Sequence, residues 1–236
     1  MDFLDFHAHI LPGIDDGAAD AEESLELLRL LRQQGVTALV ATPHFYAYDE
    51  SPKEFLQRRH EAAMRLKTAL ERFSEPIPKI GLGAEVAYFP GISEAKELSS
   101  LAIKSLLLVE PPMSPWSDYL LDEVEAIGSS LQCVPVIAHL DRFVRYQEDP
   151  SLISRVRDRR VLVQANISSF LRAETASLWM DLLERGDVHL LGSDTHNCRN
   201  RLPRWDELEE AVTRAGLRRA LDSIQKKAFS LLVSKN

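Results

Sequence analysis

The chain lacks several features that would direct its interpretation elsewhere. Only two of its 236 residues are cysteines, Cys133 and Cys198, and two are too few for a disulfide framework. No run approaches the roughly 18 consecutive apolar residues of a membrane-spanning helix. Met1 and Asp2 lead directly into an apolar segment instead of a signal sequence. We therefore expect a cytoplasmic protein without membrane insertion.

The chain also has no excess of basic residues and no linker-like segment. The formal net charge is −8 and the sequence pI is about 5.4. This acidity opposes nucleic-acid binding, because a phosphate backbone attracts a basic face. No stretch rich in proline, glycine and serine divides the chain, whose length suffices for one large buried core. We therefore expect residues 1–236 to form a single domain.

Short apolar segments alternate with helical patterns along the whole chain. The predicted strands are residues 3–6, 36–41, 79–83, 105–109, 134–138, 161–166 and 188–191. The predicted helices are residues 20–34, 51–73, 117–131, 150–160, 173–185 and the segment from Trp205 onward. This alternation predicts parallel β/α units. Polar residues follow nearly every strand, which favours a closed barrel over an open sheet whose ligands gather in one crevice. The expected α/β fold is a distorted, TIM-like barrel of seven strands.

The first predicted strand ends in His7-Ala8-His9, and a turn at Pro12-Gly13 leads to Asp15-Asp16-Gly17. Residues two apart on a strand project in the same direction, so the two imidazoles can chelate one ion. The turn returns two carboxylates towards them. Edge histidines beside an acidic turn would explain this segment equally well. The metal-site hypothesis therefore depends on whether metal-binding residue types recur at the ends of other strands.

Residue types that bind metals do recur at the other strand ends. The candidate ligands are His7, His9, Asp16, His44, Glu85, Glu110, His139, Asp194 and His196. So many nitrogen and oxygen donors exceed the needs of one ion and suit two or three divalent ions. The two remaining histidines have structural interpretations. His60 lies in a charged surface helix, and His189 lies inside the seventh strand, where a hydrogen-bonded core histidine is expected.

The ordered set of motifs resembles a known family. The motifs are His7-Ala-His9, Asp15-Asp16-Gly17, Thr42-Pro43-His44, Gly83-Ala84-Glu85, Glu110, Ala138-His139-Leu-Asp-Arg142 and Ser193-Asp194-Thr-His196-Asn197. They resemble the PHP superfamily, named for polymerase and histidinol phosphatase domains. Their order and spacing are most similar to those of the bacterial PHP-type protein-tyrosine phosphatases of capsule and exopolysaccharide clusters. The resemblance covers essentially the whole chain.

The resemblance implies three metal positions. His7, His9, Glu85 and Asp194 would hold one ion; Glu85, Glu110 and His139 a second; and Asp16, His44 and His196 a third. Mn²⁺ is the implied metal, with Fe, Zn or Co as alternatives. Asp16 matches the family's ligand position, whereas Asp15 is expected to support a ligand from outside the set. Two positions depart from the family: Asp141 stands where relatives often carry glutamate, and Pro111-Pro112 after Glu110 could reshape the substrate loop.

The implied activity is hydrolysis of protein phosphotyrosine by a hydroxide that bridges two metals, with Arg142 as the catalytic residue that binds phosphate. The implied substrate is a bacterial tyrosine kinase of polysaccharide export. Three divalent ions against four ligand carboxylates leave an excess of about +2, which matches a phosphate monoester dianion. Aromatic residues that follow His44 and Glu110 could flank the tyrosine ring, and Phe45 and Tyr46 are the substrate-binding candidates with Arg142. The other loop aromatics are Tyr48, Trp116 and Tyr119.

Three alternatives remain open. The same metals would serve histidinol phosphatase or another small-molecule PHP phosphoesterase. Cys198 and Arg204 match the Cys-x5-Arg spacing of cysteine-dependent tyrosine phosphatases, although the intervening loop has no glycine and contains Pro203. A metal-stabilised barrel could also bind phosphoproteins without turnover, an interpretation that the complete ligand set and Arg142 disfavour.

Overall fold

The computed structural model describes residues 2–144, 149 and 151–233. Its strands are β1 (Phe3–Ala8), β2 (Val36–Ala41), β3 (His44–Phe45), β4 (Lys79–Leu82), β5 (Glu85–Ala87), β6 (Leu106–Glu110), β7 (Val134–Ile137), β8 (Leu162–Asn166) and β9 (Leu190–Gly192). Its α-helices are α1 (Ala21–Gln33), α2 (Pro52–Leu70), α3 (Asp118–Ser130), α4 (Leu140–Val144), α5 (Leu152–Arg157), α6 (Ala176–Arg185), α7 (Trp205–Arg214) and α8 (Arg218–Val233). Short 3-10 helices occupy Ile92–Glu94, Lys96–Leu101 and Ile167–Phe170. The predicted α/β class is confirmed, and the predicted helix start at Pro150 lies outside the described residues.

The named strands pair in parallel, in the orders β1-β2-β4 and β3-β5-β6-β7-β8-β9. The second group is a curled half-barrel. The predicted strands at 36–41 and 79–83 correspond to β2 and β4, and after short breaks at Thr42-Pro43 and Gly83-Ala84 the chain continues as β3 and β5. At the first break, Pro43 has no amide hydrogen to donate to a ladder. The two neighbouring segments nevertheless stay in register across these breaks. Gly83 N donates to the Ala41 carbonyl at 2.9 Å, and Glu85 N donates to the Pro43 carbonyl at 3.0 Å.

The first and last strands also meet at their carboxyl ends. Asp194 N donates to the His7 carbonyl at 2.8 Å, and His9 N donates to the Thr195 carbonyl at 2.9 Å. A parallel bridge joins Ala8 and Thr195 between these bonds. The ends of β1 and β9 therefore lie beside each other, which brings the motif after the first strand to the motif after the last.

The helices form where the sequence supplies the expected start and stop signals. The Asp20 carboxylate accepts from Glu23 N at 2.9 Å and begins α1, and Gly35 follows its end with a left-handed φ of 88°. Ser51 and Glu54 form the predicted capping box of α2. The helical segment from Trp205 is two helices, not one, because the chain turns at Gly216 with a φ of 76°.

Aromatic residues fill the core beneath the strand ends. Phe3 and Trp205 are fully buried and stack with ring centroids 5.0 Å apart, so α7 packs against β1. At the other end of the chain, the Gln225 side chain of α8 accepts a hydrogen bond from Leu4 N at 2.7 Å. Within residues 2–144, 149 and 151–233, no helix combines the length and apolar content needed to cross a bilayer.

Candidate metal centre and active site

The Glu85 carboxylate lies at the centre of the predicted ligand cluster. Its Oε2 atom is 3.1 Å from His7 Nε2, 3.2 Å from His9 Nε2 and 3.1 Å from His44 Nδ1. Its Oε1 atom is 2.7 Å from His139 Nε2. These residues come from β1, β3, β5 and the ends of β1 and β7, so the carboxyl ends of parallel strands converge on one carboxylate.

The other predicted ligands surround this group. Asp194 Oδ1 lies 3.6 Å from His7 Nε2, and Glu110 Oε1 lies 3.3 Å from His139 Nε2. Asp16 Oδ1 joins the cluster from the exposed side, 3.4 Å from His44 Nε2 and 3.3 Å from His196 Nε2. All nine predicted ligands therefore lie together, and their individual assignments to metal positions stay predictions.

Three sets of donor atoms are compact enough to surround single ions. The sets are His9, Asp16, His44 and His196; His7, His9 and Glu85; and His44, Glu85 and Glu110. The first contains all three ligands that the family resemblance implies for the third ion. Three buried ring nitrogens, His44 Nδ1, His139 Nδ1 and His196 Nε2, form no well-aligned hydrogen bond among the described residues. Two of them nevertheless lie close to a carboxylate oxygen, His44 Nδ1 3.1 Å from Glu85 and His196 Nε2 3.3 Å from Asp16. Nitrogen and carboxylate oxygen donors of this kind fit divalent transition metals.

The electrostatics of the cluster also favour bound cations. Burial opposes protonation of His9, yet the carboxylates of Asp15 and Glu85 outweigh it and raise the pKa of His9 to about 10. Burial likewise opposes protonation of His139, but Glu110 and Glu85 raise its pKa to about 9. The neighbouring imidazoles hold the pKa of Glu85 well below its usual range despite complete burial. Buried carboxylates thus require positive charge beside them, which metal ions would supply.

Asp15 and Asp16 have different environments although they are neighbours in sequence. The Asp15 side chain is only 5% exposed, and its Oδ2 atom is 2.8 Å from His9 Nδ1. It also accepts from Gly17 N at 2.9 Å and His44 N at 3.1 Å. Asp16 is 63% exposed and faces the cluster. Asp15 therefore orients the His9 ring so that Nε2 points into the cluster, which agrees with the supporting role that the family resemblance implies.

The turn after Asp16 requires glycine. A Cβ atom on Gly17 would lie 2.3 Å from the His9 carbonyl oxygen and 2.6 Å from His9 Cβ. Ala18 N donates to the same His9 carbonyl at 3.0 Å, which holds the turn against the end of β1. The close approach of Gly17 therefore fixes Asp15 beside His9.

A buried amide chain from β8 supports the cluster and was not predicted from the sequence. Gln164 Oε1 accepts from His139 N at 2.7 Å and lies 3.2 Å from His7 Nδ1. Gln164 Nε2 donates to Asn166 Oδ1 at 3.0 Å, and Asn166 Nδ2 donates to Asp194 Oδ2 at 2.9 Å. The sequence did contain a signal for this chain of amides, since Gln164 and Asn166 are polar residues inside the apolar run 161–166. Such residues must find hydrogen-bond partners when they are buried.

Two arginines lie at the mouth of the cluster. Arg142 Nη2 is 2.5 Å from Asp194 Oδ2, and Arg142 Nη1 is 3.6 Å from Glu110 Oε1. Arg201, which was not predicted, places Nη2 2.8 Å from Asp194 Oδ1 and Nη1 3.7 Å from Asp16 Oδ2. Both guanidinium groups are about one-third exposed, at 33% and 34%. The mouth therefore presents two partly exposed cations directly beside the predicted ligands.

The backbone at two predicted ligands is unusual. His139 has a φ of 28° and Asp194 a φ of 53°, both in the left-handed region that side chains other than glycine disfavour. His139 is anchored by Gln164, and Asp194 N donates to the His7 carbonyl. Surrounding contacts thus hold both residues in costly conformations that turn their side chains towards the cluster.

The predicted substrate aromatics separate into buried and accessible residues. Tyr46 is half-buried and stacks on His44 with centroids 5.5 Å apart and an interplanar angle of 20°. Phe45 is fully buried against Phe55, with centroids 5.3 Å apart. The prediction that Phe45 contacts substrate is therefore wrong, because adjacent residues of a strand face opposite sides. Trp116 is buried as well, whereas Tyr48 and Tyr119 are exposed.

The cysteine alternative does not fit this geometry. Burial raises the pKa of the Cys198 thiol to about 11, so little thiolate exists at neutral pH. The guanidinium of Arg204 is held by Glu207, with contacts of 2.7 and 2.5 Å, and is not directed at an anion beside the thiol. His60 is exposed on α2, as expected. His189 Nδ1 accepts the expected hydrogen bond, from Val163 N at 3.1 Å, but this residue lies just before β9 and is only half-buried.

Comparisons with known proteins agree with the geometry. The family described as capsular polysaccharide synthesis, CpsB/CapC, matches residues 3–229. The tyrosine-protein phosphatase YwqE of Bacillus subtilis strain 168 is 28% identical over 209 residues, which cover 84% of this chain and 79% of YwqE. The tyrosine-protein phosphatase CpsB of Streptococcus pneumoniae is 26% identical over 227 residues, covering 89% of this chain and 90% of CpsB.

A solved structure extends the similarity to three dimensions. It comes from crystal structures of YwqE from Bacillus subtilis and CpsB from Streptococcus pneumoniae, described as unique metal-dependent tyrosine phosphatases. The TM-score is 0.85 at 26% identity, and the alignment covers 99% of this chain and 95% of that chain. The similarity therefore includes every element that carries the cluster.

Proposed function

The chain belongs to the CpsB/CapC family of capsular polysaccharide synthesis, and from this premise we propose that it is a metal-dependent protein-tyrosine phosphatase. The observation that carries the proposal is the buried cluster of carboxylates and imidazoles around Glu85, with Arg142 and Arg201 at its mouth. The relatives named tyrosine-protein phosphatases support the same activity. The proposed role is control of capsular or exopolysaccharide synthesis.

We assign the metal positions as the resemblance implies. His7, His9, Glu85 and Asp194 would hold one divalent ion; Glu85, Glu110 and His139 a second; and Asp16, His44 and His196 a third. Two or three Mn²⁺ ions are proposed, with Fe, Zn or Co as alternatives. When bound, such ions supply Lewis acidity and lower the pKa of coordinated water towards 7. The compact donor sets, and the ring nitrogens that form no well-aligned hydrogen bond, support this assignment.

The residues of the chain itself bind and orient the phosphate. Arg142 and Arg201 both contact Asp194 and can turn towards the oxygens of a phosphate dianion that approaches from solvent. A planar guanidinium matches two phosphate oxygens at once and places positive charge where the transferring group carries negative charge. Tyrosine leaves readily because its pKa, near 10, is far below that of an alkyl alcohol. Tyr46, stacked on His44, offers an aromatic face beside the substrate ring.

We further propose that the two strand groups form one distorted barrel of seven strands in a single domain. The unbroken register from β2 to β3 and from β4 to β5 supports treating each pair as one interrupted strand. The bonds between the ends of β1 and β9 support closure. The contact of Gln225 with Leu4 supports one domain, because it ties the last helix to the first strand.

The proposed substrate is phosphotyrosine in the tail of a bacterial tyrosine kinase of polysaccharide export, which places the reaction in the cytoplasm. The test is a side-by-side measurement of kcat/KM with Mn²⁺ for a phosphotyrosyl peptide, a phosphoseryl peptide and histidinol phosphate. We expect the phosphotyrosyl peptide to be hydrolysed best and a chelator to abolish turnover. A histidinol phosphate value at least tenfold higher, about 1.4 kcal/mol in transition-state binding, would overturn the substrate assignment.

A further inference from the structure

A cavity of about 320 Å³ opens directly beside the metal cluster on the side of β8 and β9. Asp194, Arg142 and Arg201 line it, together with the buried carboxylate of Asp141. Two further arginines, Arg172 and Arg204, also line it, and no part of the proposed mechanism uses them. With four arginines against two carboxylates, the cavity is a basic extension of the proposed active site.

The arginines of this cavity differ in how their charges are compensated. The two arginines at the mouth of the cluster lie against its carboxylates, and Arg204 is held by Glu207. Arg172 is exposed, and among residues 2–144, 149 and 151–233 no carboxylate lies within ion-pair distance of it. Its backbone is fixed, because its carbonyl accepts from Thr175 N at 3.1 Å and Ala176 N at 2.8 Å. Arg172 thus presents an available positive charge from an ordered turn.

A second cavity that adjoins the cluster has the reverse charge. It lies beside His44 and Tyr46, has a volume of about 730 Å³, and is lined by five carboxylates and one arginine. The arginine, Arg58, is already paired with Glu50. The two cavities that adjoin the cluster therefore differ in the sign of their charge.

We propose that Arg172, with Asn200 lining the same cavity, binds the carboxylate of an acidic residue that neighbours phosphotyrosine in the substrate peptide. This inference rests on the proposed function and adds a sequence preference to it. The fork of a guanidinium matches a carboxylate, and the exposed side chain of Asn200 adds a hydrogen-bond donor. Because the two cavities have opposite charge, an acidic neighbour is favoured only where the peptide enters the arginine-lined cavity.

The test compares phosphotyrosyl peptides that carry a single Glu before or after the phosphotyrosine with the same peptides carrying Gln. We expect Glu on one side to raise kcat/KM by about two- to fivefold at low ionic strength, the range of a solvent-exposed ion pair. Arg172→Ala should bring the Glu/Gln ratio to one, and Arg172→Glu should reverse it and favour Lys. Arg219→Ala, an exposed arginine on α8, is the matched control and should keep the wild-type ratio.

The outcomes separate this proposal from the proposed function. Absence of any phosphotyrosine hydrolysis by the wild-type protein contradicts the proposed function itself. Normal hydrolysis with a Glu/Gln ratio of one on both sides, or a ratio that Arg172→Glu leaves unchanged, overturns the subsite alone. A preference dependent on Arg172 for a second phosphotyrosine but not for Glu would overturn its assignment to a carboxylate. Para-nitrophenyl phosphate, which has no peptide arm, reports the state of the metal centre in each variant.

Discussion

Replacement of Asp15 by asparagine should weaken metal binding without removing a ligand. The Asp15 carboxylate accepts from His9 Nδ1 at 2.8 Å, whereas an amide of the same shape can place a nitrogen donor against that ring nitrogen. The ring must then rotate or change tautomer, and Nε2 loses its orientation towards the cluster. Losing such a support costs about 10- to 100-fold in metal affinity, or about 1.4 to 2.7 kcal/mol.

The assay is calorimetric titration of Mn²⁺ into chelator-treated protein, with Asp16→Asn as the comparison. We expect Asp15→Asn to keep the number of bound ions and lower their affinity, with activity restored by excess metal. Asp16→Asn changes a proposed ligand and should remove one ion from the count. An affinity within twofold of wild type for Asp15→Asn would refute the support role. Loss of an ion from Asp15→Asn but not from Asp16→Asn would exchange the two roles.

Three further substitutions and one pH dependence test other features of the site. Arg142→Ala should lower kcat/KM by about 10² or more at unchanged metal content, because a donor to the transferring phosphate is lost. Wild-type kinetics in this variant would show that Arg142 has no role at the active site. Cys198→Ser should retain activity that a chelator abolishes, since the thiol pKa is about 11; an inactive serine variant, together with wild-type activity that survives the chelator, would contradict the metal mechanism. The pKa values of His9 and His139 are raised to about 10 and 9, above the unfolded 6.5, so metal-free protein should lose thermal stability as pH rises from 6.5 to 9; a rising melting temperature would contradict this. Gly17→Ala should lower metal content through its clash with the His9 carbonyl, and unchanged content would argue against that turn's role.

The sequence predicted the cluster well because each candidate ligand follows an apolar strand or the turn next to one. His7, Glu85 and His139 illustrate this, since parallel strands bring their carboxyl ends to one face. The Asp15 and Asp16 roles were separated by resemblance, and the contact of Asp15 with His9 agrees with that separation. The α/β class followed from the alternation of apolar strand segments with helical patterns. The breaks at Pro43 and Gly83, which separate β2 from β3 and β4 from β5, depend on how neighbouring strands pair.

Other parts of the site could not be predicted from local pattern. Arg201 lies in a loop with several arginines, and only its three-dimensional position beside Asp194 distinguishes it from the others. Gln164 did leave a signal, a polar residue in an apolar run, but its partners lie on other strands. Phe45 was misassigned because it was treated as a loop aromatic. It lies in a two-residue strand, where alternation sends it into the core.

The left-handed backbone at His139 and Asp194 has a consequence for the amount of enzyme in a cell. Each such residue costs about 1 to 3 kcal/mol, a sizeable part of the 5 to 15 kcal/mol by which a typical domain is stable. Ions that bind only the folded cluster offset this cost by mass action. When metal is scarce, a larger fraction of the chains should therefore unfold and be degraded by proteases. The two strained residues would thus make the lifetime of the enzyme, and not only its turnover, depend on metal supply.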